Sequence, residues 1–310
     1  MRKYAYIILL ALLASTVYFT SCERIPTMMD PLLPNAEEIE TPPEMVETPE
    51  EMMETPVDLV DVLIYTNRSY WIELEAAEMA AETTKNLLEA NGVSVHITKD
   101  DTYVREWMLQ TTSDGNLNVI VFYGVLPASV YSTGNAQIDG SIAENWIETT
   151  DGDTILNHAD YIAFNTDYDT DKIDVDAIVD WDAQVQAVGS NREDGLQNLM
   201  DNPTINLFTA GVSSMQVTSD GLALTPSLAN FDSLRPIPLN QLQGEWFAEK
   251  VFASDTGNAE ATYADPVILR DGDLGRLAIV HATTEYEGLL NGEVAAEIIL
   301  NSLLAAPTIQ

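Results

Sequence analysis

A single cysteine, Cys22, limits the ways in which this chain can be stabilised. One thiol cannot form an internal disulfide, and it cannot supply the set of thiolates that a structural zinc site needs. A folded domain in this chain must therefore be held together by a packed apolar core. Hydrophobic residues make up 46% of the sequence, and its length suits one large domain or two small ones.

The first 22 residues have the layout of an export signal, which is excluded from fold reasoning. A positive start, an apolar run over residues 4–19 and the small residues Thr20 and Ser21 precede Cys22. A cysteine in this place resembles the lipobox of bacterial lipoproteins, whose thiol accepts a diacylglyceryl group. We therefore expect an exported protein that is lipidated at Cys22 and tethered to the cell envelope, outside the inner membrane or at the outer membrane. Ordinary signal cleavage and an uncleaved anchor helix are the alternatives, and the apolar run is shorter than the roughly 20 residues of a typical span.

Residues 23–56 are expected to form a disordered tether. The triplet Glu-Thr-Pro occurs at residues 40–42, 47–49 and 54–56, within a segment rich in Pro, Glu and Met. Proline interrupts regular backbone pairing, and the like charges of the glutamates repel one another. An extended segment of this kind would hold a lipid-anchored domain clear of the membrane.

The charge balance excludes one class of partner. The chain has 50 acidic residues against 13 basic ones, a formal net charge of -37. Such a surface repels phosphate backbones, so we expect no binding to nucleic acid. We interpret the acidity mainly as a solvated surface, with a specific calcium site as the alternative.

The candidate calcium ligands are Asp167, Asp169 and Asp171, which have the spacing of the first three ligands of an EF-hand loop. Lys172 stands where that loop needs glycine, and Ile178 stands where it needs the bidentate glutamate. The sequence therefore excludes an EF-hand. It leaves an irregular Ca²⁺ site as the one cofactor to consider, against a solvated acidic loop.

From residue 57 the pattern alternates between β-rich and helical segments. The predicted strands are 60–65, 93–98, 118–123, 153–157, 266–270 and 277–280, and the predicted helices are 71–90, 101–110, 142–149, 193–200 and 292–304. Strands that alternate with helices indicate an α/β domain with a doubly wound, mostly parallel sheet and helices on both faces. We place this domain at residues 57–305, with an irregular insertion around residues 165–262.

Three segments resemble a known superfamily: NVIVFYG at 118–124, AENWIETTDGDTILNHADYI at 143–162 and GRLAIVHATTEYEG at 275–288. The order and the sequences of these segments resemble those of the class I glutamine amidotransferase-like superfamily, particularly its ThuA-like members. The resemblance implies a flavodoxin-like sheet and a pocket near the elbow that follows the central strand.

Catalytic members of that superfamily carry a cysteine nucleophile at the elbow and a His-x-Glu pair near the end of the domain. By position, the nucleophile's place in this chain is held by Asn157 or His158, and ThuA-like members often have histidine there. The terminal motif runs from His281 to Glu285 with a longer spacing. Without a thiol, glutamine hydrolysis by the superfamily's mechanism cannot proceed.

Ligands of open α/β sheets bind outside the carboxyl ends of the strands. Several polar residues and one glycine follow predicted strands at that edge, and Arg68 is a candidate contact for an anion or carboxylate. The candidate ligand-binding residues are Asn67, Arg68, Gly124, His158, Asp160 and His281.

The candidate catalytic residues are His158 and His281, with Glu285 to orient one of them. Histidine titrates near neutral pH and can act as acid, base or metal ligand, although a structural role for both side chains is the alternative. His96 alternates with apolar residues in a strand and is interpreted as structural. We expect a non-catalytic domain that binds a small polar ligand such as a saccharide. A histidine-dependent hydrolase or isomerase that acts on carbohydrate-related substrates is the alternative.

The tryptophans are candidates for a sugar-stacking platform. Trp107 and Trp146 lie in predicted helices and are interpreted as core residues. Trp246, which lies in an irregular region, is retained as a candidate for stacking.

Overall fold

The computed structural model describes residues 57–67, 74–131, 140–157, 162, 164–165, 191–192, 194–207, 211–280 and 291–305. These residues all belong to one unit, Met53–Gln310. The described strands are β1 (Val62–Tyr65), β2 (Val95–Thr98), β3 (Val119–Phe122), β4 (Thr154–Asn157), β5 (Phe164–Asn165), β6 (Asn191–Arg192), β7 (Ser213–Val217), β8 (Phe231–Ser233), β9 (Ile237–Pro238), β10 (Trp246–Val251), β11 (Ala253–Ser254), β12 (Tyr263–Ala264), β13 (Val267–Asp271) and β14 (Arg276–Ile279). The described α-helices are α1 (Leu74–Ala90), α2 (Asp101–Thr111), α3 (Ile142–Ile147), α4 (Asp194–Leu199), α5 (Ser219–Leu224) and α6 (Asn291–Ile298), and α6 continues as a π-helical turn, Ile299–Leu303.

The central sheet has seven strands in the order β10-β13-β14-β4-β3-β1-β2. The five neighbouring strands β2, β1, β3, β4 and β14 are parallel. At the edge next to β14, β13 and β10 are added in antiparallel pairing. Every residue of β1, β3 and β4 is buried, as expected for parallel strands that are covered on both faces. The prediction of an α/β domain with a parallel-rich sheet is confirmed.

Alternate side chains of each strand contribute to two separate apolar clusters. On β1, Leu63 and Tyr65 pack in the cluster that contains Trp107 of α2 and Trp146 of α3. Val62 and Ile64 pack in the other cluster, together with side chains of α1 and α6. Because the side chains of a strand alternate between the two faces of the sheet, these clusters place helices on both faces. The prediction that Trp107 and Trp146 are core residues is confirmed, since both are fully buried.

Two helix starts are determined by local sequence. Asp100 caps α2, and its carboxylate accepts hydrogen bonds from the backbone N–H groups of Thr102 and Tyr103. Ser141 caps α3 in a capping box: its hydroxyl accepts from the Glu144 backbone N–H at 3.0 Å, and the Glu144 carboxylate accepts from the Ser141 backbone N–H at 2.9 Å. Both caps satisfy backbone donors that a helix start leaves without partners, so these two boundaries could be predicted from sequence.

Residues 203–262 contain more regular structure than the expected irregular insertion. Four short strands of this region and β12, which directly follows it, form a second sheet in the order β8-β7-β11-β12-β9. β10, in the same part of the chain, pairs with β13 in the central sheet. Trp246 begins β10 and is 8% exposed. The prediction that Trp246 offers a stacking surface is therefore wrong, because the indole packs in the core.

Among the described residues, no helix combines the length and the apolar character needed to cross a membrane.

Candidate functional site

The candidate site lies at the carboxyl edge of the parallel strands. Tyr65, Phe122, Asn157 and Ile279 stand in register at the ends of β1, β3, β4 and β14. β2 pairs with one edge of β1, and β3, the next strand along the chain, pairs with the other edge of β1. The carboxyl ends of β1 and β3 therefore flank a topological switch point, which is where open α/β sheets bind ligands.

Asn157 is the polar side chain that ends β4. It is 1% exposed, and its Nδ2 donates a hydrogen bond to the backbone oxygen of Gly124, at a distance of 3.0 Å. Its Oδ1 is buried and has no hydrogen-bond partner among the described residues. Buried polar atoms in folded proteins are nearly always hydrogen-bonded, so this oxygen indicates a place for a further group.

Thr66 and Asn67 follow β1 at the same edge. Thr66 is fully buried, and its Oγ1 likewise has no hydrogen-bond partner among the described residues. Asn67 is partly buried, and its Nδ2 donates to the backbone oxygen of Lys99, at 3.3 Å. This contact joins the ends of β1 and β2. The Lys99 ammonium forms an ion pair with Glu78 of α1.

Tyr123 follows β3, and hydrogen bonds of its hydroxyl connect this edge to neighbouring helices. Its hydroxyl lies 2.6 Å from Thr84 Oγ1, which in turn donates to the backbone oxygen of Gly292 at 2.9 Å. Burial raises the pKa of the Tyr123 hydroxyl, which stays protonated at neutral pH. We therefore assign Tyr123 a positioning role, since its hydroxyl links β3 to α1 and to the start of α6.

The structure brings two of the sequence-predicted residues, Asn67 and Gly124, to this edge. Gly124 contributes its backbone oxygen, as the acceptor for Asn157. The other candidates lie outside the described residues and stay predictions: Arg68, His158, Asp160, His281 and Glu285, and the calcium candidates Asp167, Asp169 and Asp171.

His96 lies in β2, where its ring stacks on Tyr103 with 4.6 Å between centroids. That packing agrees with the structural role expected for it. Among the described residues, no group of three or more His, Cys, Asp or Glu side chains could hold a metal ion.

Sequence reasoning missed the supporting role of Tyr123 and the burial of Thr66, whose hydroxyl has no hydrogen-bond partner among the described residues. Both residues directly follow a buried apolar strand, which is the signal that could have identified them. The partner of the Tyr123 hydroxyl, Thr84, lies 39 residues away in the chain, so no local pattern indicates that contact.

Asp153 lies at the opposite, amino edge of the sheet, directly before β4. Its side chain is buried, Oδ1 accepts a hydrogen bond from the Asn118 backbone N–H at 2.8 Å, and Oδ2 has no partner among the described residues. Burial, and to a lesser extent the nearby charges of Asp151 and Asp114, raise the pKa of Asp153 to about 7. Because Asp153 is far from the switch point in the sheet, we assign it a structural role.

Asp153→Asn is expected to make the stability less dependent on pH. The folded-state pKa of about 7 lies above the unfolded value of about 3.9, so the folded protein binds this proton more tightly. The contribution of Asp153 to stability is therefore complete below about pH 4 and is lost as the pH rises to about 7. A pKa difference of about 3 units corresponds to about 4 kcal/mol, so between about pH 4 and pH 8 the free energy of unfolding measured with urea should fall by up to about 4 kcal/mol less in the variant.

A matched control is Asp151→Asn, which keeps Asp153 and removes one neighbouring charge. This variant should show a pH dependence between those of the wild type and Asp153→Asn. Equal pH dependences for wild type and Asp153→Asn would contradict a buried carboxyl whose pKa is raised to about 7.

No protein-family model matches the sequence, and no curated protein matches it. A solved structure from Bacteroides uniformis, described as that of a ThuA-like protein, aligns with 79% of this chain and 91% of its own. The sequence identity is 13% and the TM-score is 0.37. A likeness at that level carries no argument about function, so the fold assignment depends on the strand order and the packing described above.

Proposed function

We propose that this protein is an exported, lipid-anchored envelope protein whose α/β domain binds a small polar ligand, such as a saccharide, without catalysing a reaction. The binding site is the carboxyl edge of the parallel sheet at the ends of β1, β3 and β4. The domain has the class I glutamine amidotransferase-like fold and is ThuA-like, but it lacks the thiol nucleophile of the catalytic members.

The order of the parallel strands supports this fold assignment. The order β2-β1-β3-β4-β14 is that of flavodoxin-like sheets, with the switch point between β1 and β3. The sequence segments that resemble the superfamily contain β3, β4 and β14, which are adjacent in the sheet.

The observation that carries the binding proposal is the side chain of Asn157. The resemblance to the superfamily assigns the nucleophile's place to Asn157 or His158, and Asn157 presents a buried amide at that end of β4. An amide neither titrates near neutral pH nor acts as a nucleophile, but it can orient a ligand through a hydrogen bond. A buried amide oxygen that has no partner among the described residues, at the end of the strand next to β3, is therefore better suited to binding than to catalysis.

Asn157→Leu is expected to weaken the binding of a saccharide to the full-length protein by roughly tenfold or more, because a buried hydrogen bond is lost. Leucine has nearly the same shape as asparagine. Isothermal titration with glucose, galactose, mannose and N-acetylglucosamine measures the change. Asn145→Leu is the matched control, because it removes a similar Nδ2–carbonyl hydrogen bond of 2.9 Å from an exposed position on α3.

Two outcomes would overturn this proposal. If none of the four saccharides binds at millimolar concentration, the binding function is wrong. If the protein converts a saccharide to product, and His158→Ala with His281→Ala abolishes that turnover, the histidine-dependent hydrolase or isomerase replaces the binding module.

The proposed anchor is tested separately at Cys22. Cells grown with radiolabelled palmitate should incorporate label into the wild-type protein, and the Cys22→Ser variant should lose essentially all of it. The variant lacks the only thiol in the chain, so residual labelling would have to come from another linkage. Equal labelling of both proteins would contradict lipidation at Cys22.

A further inference from the structure

We propose, on the basis of the binding function proposed above, that the ligand group seated against Asn157 is a hydrogen-bond donor, either a hydroxyl or an ammonium. A carboxylate or a phosphate would be excluded from that position. This inference concerns the chemical class of the ligand, about which the fold alone says nothing.

The orientation of the Asn157 amide is determined by its one described partner. Nδ2 donates to the backbone oxygen of Gly124 at 3.0 Å, and a flipped amide would place Oδ1 against that oxygen. Two acceptors cannot share a hydrogen bond, so the flip is strongly disfavoured. Oδ1 is therefore the amide atom that has no partner among the described residues, and it can only accept, whereas Nδ2 already makes one hydrogen bond.

Burial makes this acceptor selective. Asn157 is 1% exposed, and Oδ1 has no partner among the described residues. A donor on the ligand would satisfy the oxygen, whereas a ligand that presents only acceptor oxygens would leave it unsatisfied and add repulsion between partial negative charges.

A second orphaned atom at the same edge is compatible with such a ligand. Thr66 Oγ1 is buried and has no hydrogen-bond partner among the described residues. Thr66 follows β1 and Asn157 ends β4, with β3 between these strands. Thr66 lies one residue beyond Tyr65, which is in register with Phe122 and Asn157, so the side chains of Thr66 and Asn157 leave opposite faces of the sheet, and a ligand would have to reach around the strand ends to contact both. A hydroxyl of this kind both donates and accepts, so Thr66 tolerates more ligand chemistries than Asn157 does.

The test compares three matched ligand series on the full-length wild-type protein, by isothermal titration. The neutral series is glucose, galactose and mannose, the amine series is their 6-amino-6-deoxy derivatives, and the acid series is glucuronate, galacturonate and mannuronate, so the three series differ at C6 alone. We expect at least one neutral sugar and its amine to bind, with the matching uronate bound at least tenfold more weakly.

Two variants connect this preference to Asn157. Asn157→Leu should weaken neutral and amine binding by roughly tenfold and should change uronate binding little. Asn157→Asp keeps the size of the side chain and adds a negative charge, so it should favour the amine over the neutral sugar by roughly tenfold more than the wild type does. Circular dichroism checks the folding of both variants, and the wild-type series needs neither of them.

The outcomes separate this inference from the binding function. A uronate that binds as tightly as its neutral partner, and that neither Asn157 variant weakens, would overturn the donor requirement and leave the binding function standing. Saccharide binding that is unchanged in both variants would also overturn it, since Asn157 would not contact the ligand. If no member of the three series binds, the binding function fails, and this inference fails with it.

Discussion

Trp146→Ala is expected to lower the free energy of unfolding by about 3–5 kcal/mol. The indole of Trp146 is fully buried, and its ring centroid lies 5.7 Å from that of Trp107. Its Nε1 donates to Thr111 Oγ1 at 2.9 Å. Alanine would leave a cavity between α2, α3 and the sheet and would remove this buried hydrogen bond. Urea denaturation followed by far-UV circular dichroism measures the loss.

The two tryptophans offer a matched pair of controls. Trp107 is as buried as Trp146, but its Nε1 has no hydrogen-bond partner among the described residues. Trp146→Phe should therefore cost about 1 kcal/mol more than Trp107→Phe, because only the first substitution removes a hydrogen bond. Equal losses would show that the Trp146 hydrogen bond adds nothing to the packing of the indole.

Gly275→Ala is expected to cost about 3 kcal/mol, at the upper end of the usual penalty for overpacking. A Cβ at Gly275 would lie 2.4 Å from the backbone oxygen of Ile147 and 2.6 Å from that of Asp153. Ile147 ends α3 and Asp153 immediately precedes β4, so neither oxygen can move without moving a packed element. The Gly275 backbone N–H also donates to the Ile147 oxygen at 2.8 Å, a contact that the added methyl group would displace. Urea denaturation measures the change in the free energy of unfolding.

Gly115→Ala separates crowding from backbone strain. Gly115 has a φ of 81°, and no atom lies within 4 Å of a Cβ built there. Its substitution should cost about 1–2 kcal/mol, from the left-handed backbone alone. A loss at Gly275 no larger than the loss at Gly115 would contradict the close approach of α3, β4 and the turn between β13 and β14.

Much of the central sheet could be predicted from sequence, because its signals are local. The apolar runs that contain β1, β3 and β4 are short and bounded by polar or turn residues, which indicates buried strands. The caps at Asp100 and Ser141 mark the starts of α2 and α3 through contacts that reach only three residues along the chain. The turn that connects β13 and β14 in a hairpin likewise contains a glycine, Gly272, which is a local signal.

The second sheet could not be predicted in the same way. Its strands are two to five residues long, too short for an alternating pattern to be distinguished from chance. Some of their backbone partners are distant in sequence: Ser254, for example, pairs with Ala264, ten residues away, and also with Gln216, 38 residues away. The burial of Trp246 depends on the same long-range pairing, since β10 joins the central sheet through β13.

The sequence by itself determined that this chain must form a thiol-free, apolar-cored α/β domain, because composition, strand patterns and helix caps act over a few residues. Only the tertiary structure decided which polar atoms meet at the carboxyl edge of the sheet. Asn157 and Gly124 are 33 residues apart, and their hydrogen bond exists because β3 and β4 lie side by side in register. That contact uses one N–H of the amide, and the amide oxygen has no partner among the described residues, so pairing between strands that are distant in sequence, rather than any local pattern, defines the chemistry proposed for the site.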